Sequence, residues 1–440
     1  MAKTAQVSRD ARIKLHHAGT GYLTPNPNRF QSHWSGPSLA LMMGRESRAL
    51  ALSHAASRLE PSFGPTAEQP LSTFENGKVE KLKVSRTLIV LVIVVVVGVA
   101  GLFAYSYFQS PAPPCSSTWK CAAGYPIQVS GTFGVAGEQC AAYSTYVYCV
   151  GGVDANGGPR NAVYTGIISA SGNISAWNLD PNGYPQDVSG QSCVTSSGYM
   201  YCVGGIHDDA GDDLASSYYD SLASNGSAGP WQQTTPYPVP IDSESCLTAS
   251  SYIYCIAGNN ETGGTYSNIT PSDSVWYAQL SPGGIGAWVK STPYPASVYV
   301  PSCFAADGFA YCVGGADPTG NTVGTAYYAR LSSSGVGEWV QTTAYPIQAT
   351  GLACATTESN IYCVGGETSG GQSPTFTTAV YYAQLGSGGL TNWKAGPNYP
   401  NTVGTSCAAT PSYLYCVGGF DESSAGLNQI VNFAPLSSFG

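Results

Sequence analysis

Cysteine is the residue whose spacing in this chain predicts chemistry most clearly. All fourteen cysteines follow residue 114, and twelve of them form six pairs with eight residues between the two members. The pairs are Cys140 and Cys149, Cys193 and Cys202, Cys246 and Cys255, Cys303 and Cys312, Cys354 and Cys363, and Cys407 and Cys416. Six equal pairs spread along a chain do not converge on one zinc ion, whereas each pair suits a disulfide across a β-hairpin. Cys115 and Cys121 remain. We expect a local bridge between them, with a bond to another chain as the alternative.

Catalytic residue types are scarce in the same part of the chain. Beyond residue 114 the sequence has one histidine, His207, and two arginines, Arg160 and Arg330. This inventory disfavours copper-oxidase, serine-triad and arginine-triad sialidase chemistry. Twenty acidic residues leave room for carboxylate-pair glycoside hydrolysis, but we find none that recurs at a fixed place near an axis. We therefore predict that the chain is not an enzyme, with an extracellular carbohydrate-active hydrolase as the alternative.

One acidic segment is a candidate metal site. Asp208, Asp209, Asp212 and Asp213 surround Gly211, and carboxylate oxygens are ligands that Ca²⁺ prefers. The segment lacks the EF-hand pattern, and a solvated acidic loop is the competing interpretation. Apart from this Ca²⁺ candidate, we predict no cofactor.

The elements that position these residues repeat along the chain. Successive first cysteines lie 51 to 57 residues apart, a period typical of propeller blades. Each unit reads as a strand with the first cysteine, a short turn, and a second strand ending in Tyr-Cys-Val-Gly-Gly or a close variant. A third strand and a tryptophan-bearing fourth strand follow, and then Tyr-Pro. Asp307-Gly308, midway between Cys303 and Cys312, is a type I′ turn signal.

The last unit of the repeat has no tryptophan strand of its own. The missing strand is found at the other end of the domain, where Trp119 precedes Tyr125-Pro126 as in every other unit. We predict that this N-terminal segment completes the sixth blade and leaves no unpaired edge. The fold class is therefore all-β, a six-bladed propeller.

This pattern resembles the kelch repeat over residues 116–440. The features that carry the resemblance are Gly-Gly after a hydrophobic strand, a tyrosine about 12–19 residues later, and a tryptophan about 11–12 residues beyond it. The resemblance implies a kelch-like propeller. It does not imply one activity, because such propellers serve as binding modules and occasionally as enzymes.

A charge-free segment precedes the repeats. Residues 87–108 are long enough to cross a bilayer as one helix, and Lys81, Lys83 and Arg86 lie just before them. The positive-inside rule then places residues 1–86 in the cytoplasm. We predict a signal anchor at 87–108, a linker at 109–115 and an extracellular propeller at 116–440, with a cleaved signal peptide as the alternative.

The segment before residue 87 reads as mostly disordered and basic, with one helix over 38–60. The sequence leaves open whether the true start is Met1, Met42 or Met43. Asparagines that begin Asn-x-Ser/Thr motifs are predicted glycosylation sites on the exterior: Asn173, Asn225, Asn260 and Asn268.

Charge excludes one class of partner. Residues 109–440 hold five Lys and Arg against twenty Asp and Glu, so the domain lacks the basic patch that nucleic acid requires. The loops after Gly-Gly vary in length and share one face with the Tyr-Pro connections. Variable loops on a rigid scaffold commonly carry recognition. We predict a membrane-anchored surface binding platform for an extracellular protein or glycan, with a hydrolase or a structural envelope component as alternatives. The oligomeric state stays open.

Overall fold

The computed structural model is a six-bladed β-propeller. It describes residues 115–126, 128–129, 132–133, 136–154, 158–207, 212–223, 226–260, 270–369, 375–400, 405–421, 426–427 and 429–439. Within these ranges no helix is long and apolar enough to cross a membrane. The anchor predicted at 87–108 and the helix predicted at 38–60 lie outside them, and the domain limits stay predictions.

Each blade is an antiparallel sheet whose strands follow chain order from the axis outward, except that the outermost strand of blade 6 comes from the N-terminal end of the domain. The first strands, which surround the axis, are Gln139–Tyr143, Ser192–Ser196, Ser245–Ala249, Ser302–Ala306, Ala353–Thr356 and Ser406–Ala409. The second strands are Tyr146–Val150, Tyr199–Val203, Tyr252–Ile256, Phe309–Val313, Asn360–Val364 and Tyr413–Val417. The third strands are Val163–Ile168, Ser217–Ser221, Val275–Ser281, Ala326–Ser332, Val380–Gly386 and Val431–Pro435.

Five of the six fourth strands have two residues each, and that of blade 1 has six. They are Ile174–Leu179, Gln232–Gln233, Val289–Lys290, Val340–Gln341, Lys394–Ala395 and, in blade 6, Lys120–Cys121. In each of blades 3 to 5, two residues after the turn pair with the end of the third strand, ahead of the fourth strand. These pairs of residues are Gly284–Ile285, Gly335–Val336 and Gly389–Leu390. The tryptophans of these blades, Trp288, Trp339 and Trp393, lie between the two paired segments and are half-buried.

A few short elements lie outside the blades. Two-stranded ribbons pair Gln128–Val129 with Thr132–Phe133 and Phe420–Asp421 with Gly426–Leu427. A 3₁₀ turn, Leu436–Ser438, follows the last strand.

The second strands are buried on both faces because each lies between two blades. Their shared Tyr-x-Tyr-Cys-Val type of sequence supplies aromatic and β-branched residues, which suit strands. The turn before the strand of blade 4 has Asp307 at φ 48° and Gly308 at φ 78°, the left-handed pair of a type I′ turn. That turn places Cys303 directly opposite Cys312, as the sequence predicted.

The six Cys-x8-Cys disulfides are present, one in each blade, with Cα–Cα separations of 4.0–4.1 Å. They join Cys140 to Cys149, Cys193 to Cys202, Cys246 to Cys255, Cys303 to Cys312, Cys354 to Cys363, and Cys407 to Cys416. A local bridge between Cys115 and Cys121, with Cα atoms 5.6 Å apart, is also present. Every cysteine of the sequence is therefore in a bridge within its own blade or hairpin.

The blade disulfides lie in the seams between blades. Each joins the first strand to the second and packs against the tyrosine and valine, or isoleucine, of the preceding blade's second strand. Cys202, for example, packs with Tyr148 and Val150. The second cysteine of every pair, namely Cys149, Cys202, Cys255, Cys312, Cys363 and Cys416, is completely buried. Six hydrophobic clusters of this kind fill the six seams.

The N-terminal segment closes the ring, which confirms the closure predicted from Trp119. Lys120 and Cys121 pair with Phe433 and Asn432 of the last strand. Trp119 is fully buried, and its indole N–H donates to the Pro397 carbonyl at 3.1 Å. In four other blades the tryptophan makes the equivalent bond: Trp177 to Ala123, Trp288 to Thr235, Trp339 to Thr292 and Trp393 to Thr343.

Each blade is also fixed by an edge-to-face contact between its tryptophan and the Tyr-Pro tyrosine that precedes its first strand. Ring centroids lie 4.8–5.0 Å apart in all six blades, including Trp119 with Tyr399. The Tyr-Pro tyrosines and Trp119 are therefore core residues, and the other five tryptophans are partly buried against this core.

Candidate functional site

The face that carries the loops after Gly-Gly, here called the loop face, holds an extra layer of backbone pairing. The residue after Gly-Gly bridges to the residue four positions before the first cysteine: Val153 to Ala136, Ile206 to Ser189, Asn259 to Asp242, Ala316 to Tyr299 and Glu367 to Thr350. This layer positions polar side chains of neighbouring blades around the loop-face end of the axis.

A left-handed residue follows each bridging position near the axis. Gly137, Gly190, Ser243, Val300 and Gly351 have φ between 51° and 69°. Their backbones are linked from blade to blade: Val300 N–H donates to Ser243, Ser243 to Gly190, and Gly190 to Gly137, at 2.9–3.2 Å. In blade 3 the left-handed residue is Ser243, which separates Asp242 from Glu244.

Asp242 and Asp213 form a carboxyl pair across the seam between blades 2 and 3. Asp242 is buried, and it is hydrogen-bonded to Asp213, to the Ser243 hydroxyl and to Asn259 Nδ2, the last at 2.9 Å. Burial is the main cause that raises the pKa of Asp242. The raised pKa favours the protonated form of Asp242, which is the form that can donate a hydrogen bond to a second carboxyl.

Tyr299 brings further acidic groups into the same region. Its pKa is raised first by burial and then by the negative charges of Glu367, Asp317 and Asp242. We call Asp213, Asp242, Tyr299, Asp317 and Glu367 the acidic centre. These residues come from four successive blades, and the carboxyls of Glu367, Asp317 and Asp242 lie near enough to Tyr299 to raise its pKa.

The basic residues of the described propeller lie away from the acidic centre. Lys120, Lys290, Lys394 and Arg330 are exposed on third and fourth strands, at the outer rim of the ring. Arg160 lies on the loop face in blade 1, where its guanidinium donates to Asp154. In the described part of the loop face, the negative charge of the acidic centre therefore has no matching cationic cluster.

Two glutamates occupy one repeat position, two residues before the first cysteine. Glu138 and Glu244 are both buried, and burial is the largest cause that raises their pKa, to about 8 for Glu138 and well above the usual range for Glu244. Asp242 and Asp213 raise the pKa of Glu244 further. Gln191 occupies this position in blade 2, where its Nε2 donates to the Val150 carbonyl at 2.8 Å. The expectation that no carboxylate recurs at a fixed place near the axis is therefore wrong.

The sequence did contain a signal for this position. Glu138-Gln139-Cys140 and Glu244-Ser245-Cys246 share a Glu-x-Cys pattern, and Gln191 aligns with both. The pattern gives the place in the repeat. It does not reveal that the place is buried in a seam.

The predicted calcium site is only partly described. Asp208 and Asp209 lie outside the described residues. Asp212 is exposed and its carbonyl accepts from the His207 N–H, while Asp213 is paired with Asp242. No group of three or more His, Cys, Asp or Glu side chains among the described residues is arranged to hold a metal ion. Calcium binding by this loop stays a prediction.

The glycosylation sites also stay predictions. Asn225 and Asn268 lie outside the described residues. Asn173 is half-buried at the turn between the third and fourth strands of blade 1, on the face opposite the loop face. Asn260 is half-buried on the loop face, where its Nδ2 donates to the Pro240 carbonyl at 3.0 Å.

Comparisons with known proteins add information on the fold alone. No protein-family model matches the chain, and no curated protein matches it. Among the solved structures that match is one titled "Structure of YjhT", which is similar over 70% of this chain and 95% of that chain, with a TM-score of 0.56 and 11% sequence identity. At this identity the likeness supports the propeller architecture and assigns no activity.

Proposed function

We propose that this chain is a cell-surface binding platform that recognises an extracellular protein or glycan with its loop face. The observation that carries the proposal is the acidic centre, which lies on the same face as the loops of varying length. The opposite face carries tight turns such as Asp307-Gly308. A rigid ring with loops of different length and an excess of negative charge on one face suits recognition of a binding partner.

The location outside the cell is supported by the disulfides. Seven bridges join all fourteen cysteines, and no cysteine is free. Disulfides form and persist in oxidising compartments and are rare in the cytosol. In this proposal residues 87–108 anchor the propeller in the membrane, with residues 1–86 in the cytoplasm, and the propeller is of the kelch type.

The proposal is tested by comparing the two faces with matched substitutions. The full chain in detergent would be applied to an array of neutral and acidic glycans and to a panel of basic and acidic peptides. We expect saturable binding that Asp317→Asn and Glu367→Gln weaken at least tenfold, because both remove charge from the acidic centre. Asp307→Asn removes the same charge from the opposite face and keeps a residue that tolerates its left-handed backbone, so binding should not change.

Two results would contradict this proposal. One is binding that Asp307→Asn weakens as much as Asp317→Asn does. The other is an absence of saturable binding to every member of both panels by the folded chain.

The carboxyl pair of Asp213 and Asp242 favours a second candidate function, hydrolysis of an extracellular carbohydrate. A carboxyl whose pKa is raised by burial, beside a second carboxyl, is the kind of group that general acid catalysis uses. Release of reducing sugar from a polysaccharide panel, lost in Asp242→Asn, would support this activity. No turnover by the wild-type chain across pH 3–8 would reject it.

A further inference from the structure

A buried glutamic acid lies in the seam where the ring closes. Glu138 is 1% exposed, and it lies beside Tyr125 in the cluster that joins blade 6 to blade 1. Neither of its carboxyl oxygens accepts a hydrogen bond from another described residue. Tyr125 is the titratable group that faces it in the described part of the seam. No basic side chain there offsets a charge on Glu138, which is consistent with the causes that raise its pKa.

The seam between blades 1 and 2 shows which side chain this repeat position accepts. In the seam between blades 1 and 2 the position holds Gln191, a neutral side chain with almost the same shape as a protonated glutamate. Gln191 donates to the Val150 carbonyl, the last residue of the preceding blade's second strand. By the register of the repeat, the corresponding carbonyl for Glu138 belongs to Val417. That carbonyl already accepts from the Thr405 hydroxyl at 2.6 Å and has a second lone pair.

We propose that Glu138 is a proton-dependent latch on the closing seam: its protonated carboxyl donates to the Val417 carbonyl, and loss of the proton opens the seam between blades 6 and 1. The hydrophobic cluster in this seam includes Val431 and Phe433 of the last strand, which pairs with the Lys120–Cys121 strand within blade 6. The latch therefore acts on the strand to which the first residues of the propeller are joined. This inference does not depend on what the loop face binds.

The direction of the pH dependence follows from burial. Burial raises the pKa of Glu138 to about 8, whereas an exposed glutamate in the opened seam has a value near 4.5. The closed seam keeps the proton and the opened seam releases it, so rising pH favours opening. Between about pH 4.5 and 8 the opening equilibrium should rise about tenfold for each pH unit, and below pH 4.5 the contribution of Glu138 is constant.

Hydrogen exchange of the full chain tests the latch. After correction for the intrinsic rate of exchange, amides of Val431, Asn432, Phe433 and Ala434 should lose protection about tenfold per pH unit between pH 5 and 8. Glu138→Gln should remove this dependence while keeping protection at pH 8. The seam between blades 1 and 2, which has Gln191, serves as the internal control and should show no such slope.

The reverse substitution, Gln191→Glu, should transfer the pH dependence to the seam between blades 1 and 2, where amides of Tyr146–Val150 report it. Two outcomes overturn the proposal. One is an unchanged slope at the amides of 431–434 in Glu138→Gln. The other is a seam between blades 1 and 2 whose protection in Gln191→Glu is as constant with pH as in the wild type. If Gln191→Glu does not fold at pH 7, folding at pH 5 and exchange from there gives the same readout.

Discussion

Replacement of Trp119 by alanine tests the closure of the ring directly. Trp119 is fully buried, contacts Tyr399 edge to face at 4.8 Å, and also contacts Phe439 at 6.0 Å. Removing a buried tryptophan typically costs about 3–5 kcal/mol. The Pro397 carbonyl also loses its donor, which adds about 1 kcal/mol. We therefore expect Trp119→Ala to lower the free energy of unfolding by about 4–6 kcal/mol.

Trp339→Ala is the matched control within the same molecule. Trp339 occupies the equivalent position in blade 4, with Tyr294 at 5.0 Å and a bond from its indole to Thr292 at 3.4 Å. It is only half-buried, so we expect a loss of about 2–3 kcal/mol, roughly half of a full burial. Its strand is also continuous with the rest of its blade along the chain.

The assay is guanidinium denaturation under non-reducing conditions, combined with hydrogen exchange. Trp119→Ala should expose amides at both ends of the propeller, in 116–126 and in 431–435. Trp339→Ala should affect blade 4 and its neighbours and leave both ends protected. The closure argument fails if the two variants lose equal stability, or if protection at 431–435 survives in Trp119→Ala.

Three further predictions follow from single features of the ring. The double variant Cys303→Ser, Cys312→Ser should keep the fold and lose about 2–3 kcal/mol in denaturation experiments, since the bridge closes a short loop; a loss of the whole fold would refute the view that the blades are stapled independently. Gly351→Ala should cost about 1 kcal/mol from its φ of +62° alone, because an added Cβ would meet nothing within 4 Å, and thermal unfolding that does not change would contradict this. Burial raises the pKa of Asp220 to about 7, so the stability contributed by its protonated form is complete below about pH 4 and is lost as the pH rises to 7. Asp220→Asn should remove this loss of stability between about pH 4 and 7. A pH profile of stability identical to that of the wild type would refute the prediction.

The sequence predicted the architecture well because the repeat marks the same structural positions six times. The spacing of Cys303 and Cys312 around Asp307-Gly308 determined the register of a hairpin, and the tryptophan missing from the last unit located the closing strand at Trp119. These are local patterns or counting arguments. Neither requires knowledge of which side chains meet across a seam.

The candidate site was harder to predict for the opposite reason. Asp213 and Asp242 lie 29 positions apart in different blades, and a carboxyl in a printed sequence does not reveal whether it is solvated. The clustered aspartates of the second unit suggested an independent metal site in one loop, whereas Asp213 contacts Asp242 of blade 3. The burial of Glu138 likewise depends on the neighbouring blade, which adjoins it only when residues far along the chain have folded.

The closing strand also sets an order of events during synthesis. Asn432 bonds to the carbonyl of Lys120, which lies 312 positions earlier in the chain. At about 5–20 residues per second, Trp119 and its flanking residues wait roughly 15–60 s on the ribosome or translocon before their partner strand is made. Each hairpin can meanwhile form its own disulfide soon after it is synthesised. The ring therefore closes after its hairpins have formed, and the first residues of the propeller to be synthesised are among the last to pair with their partner strand.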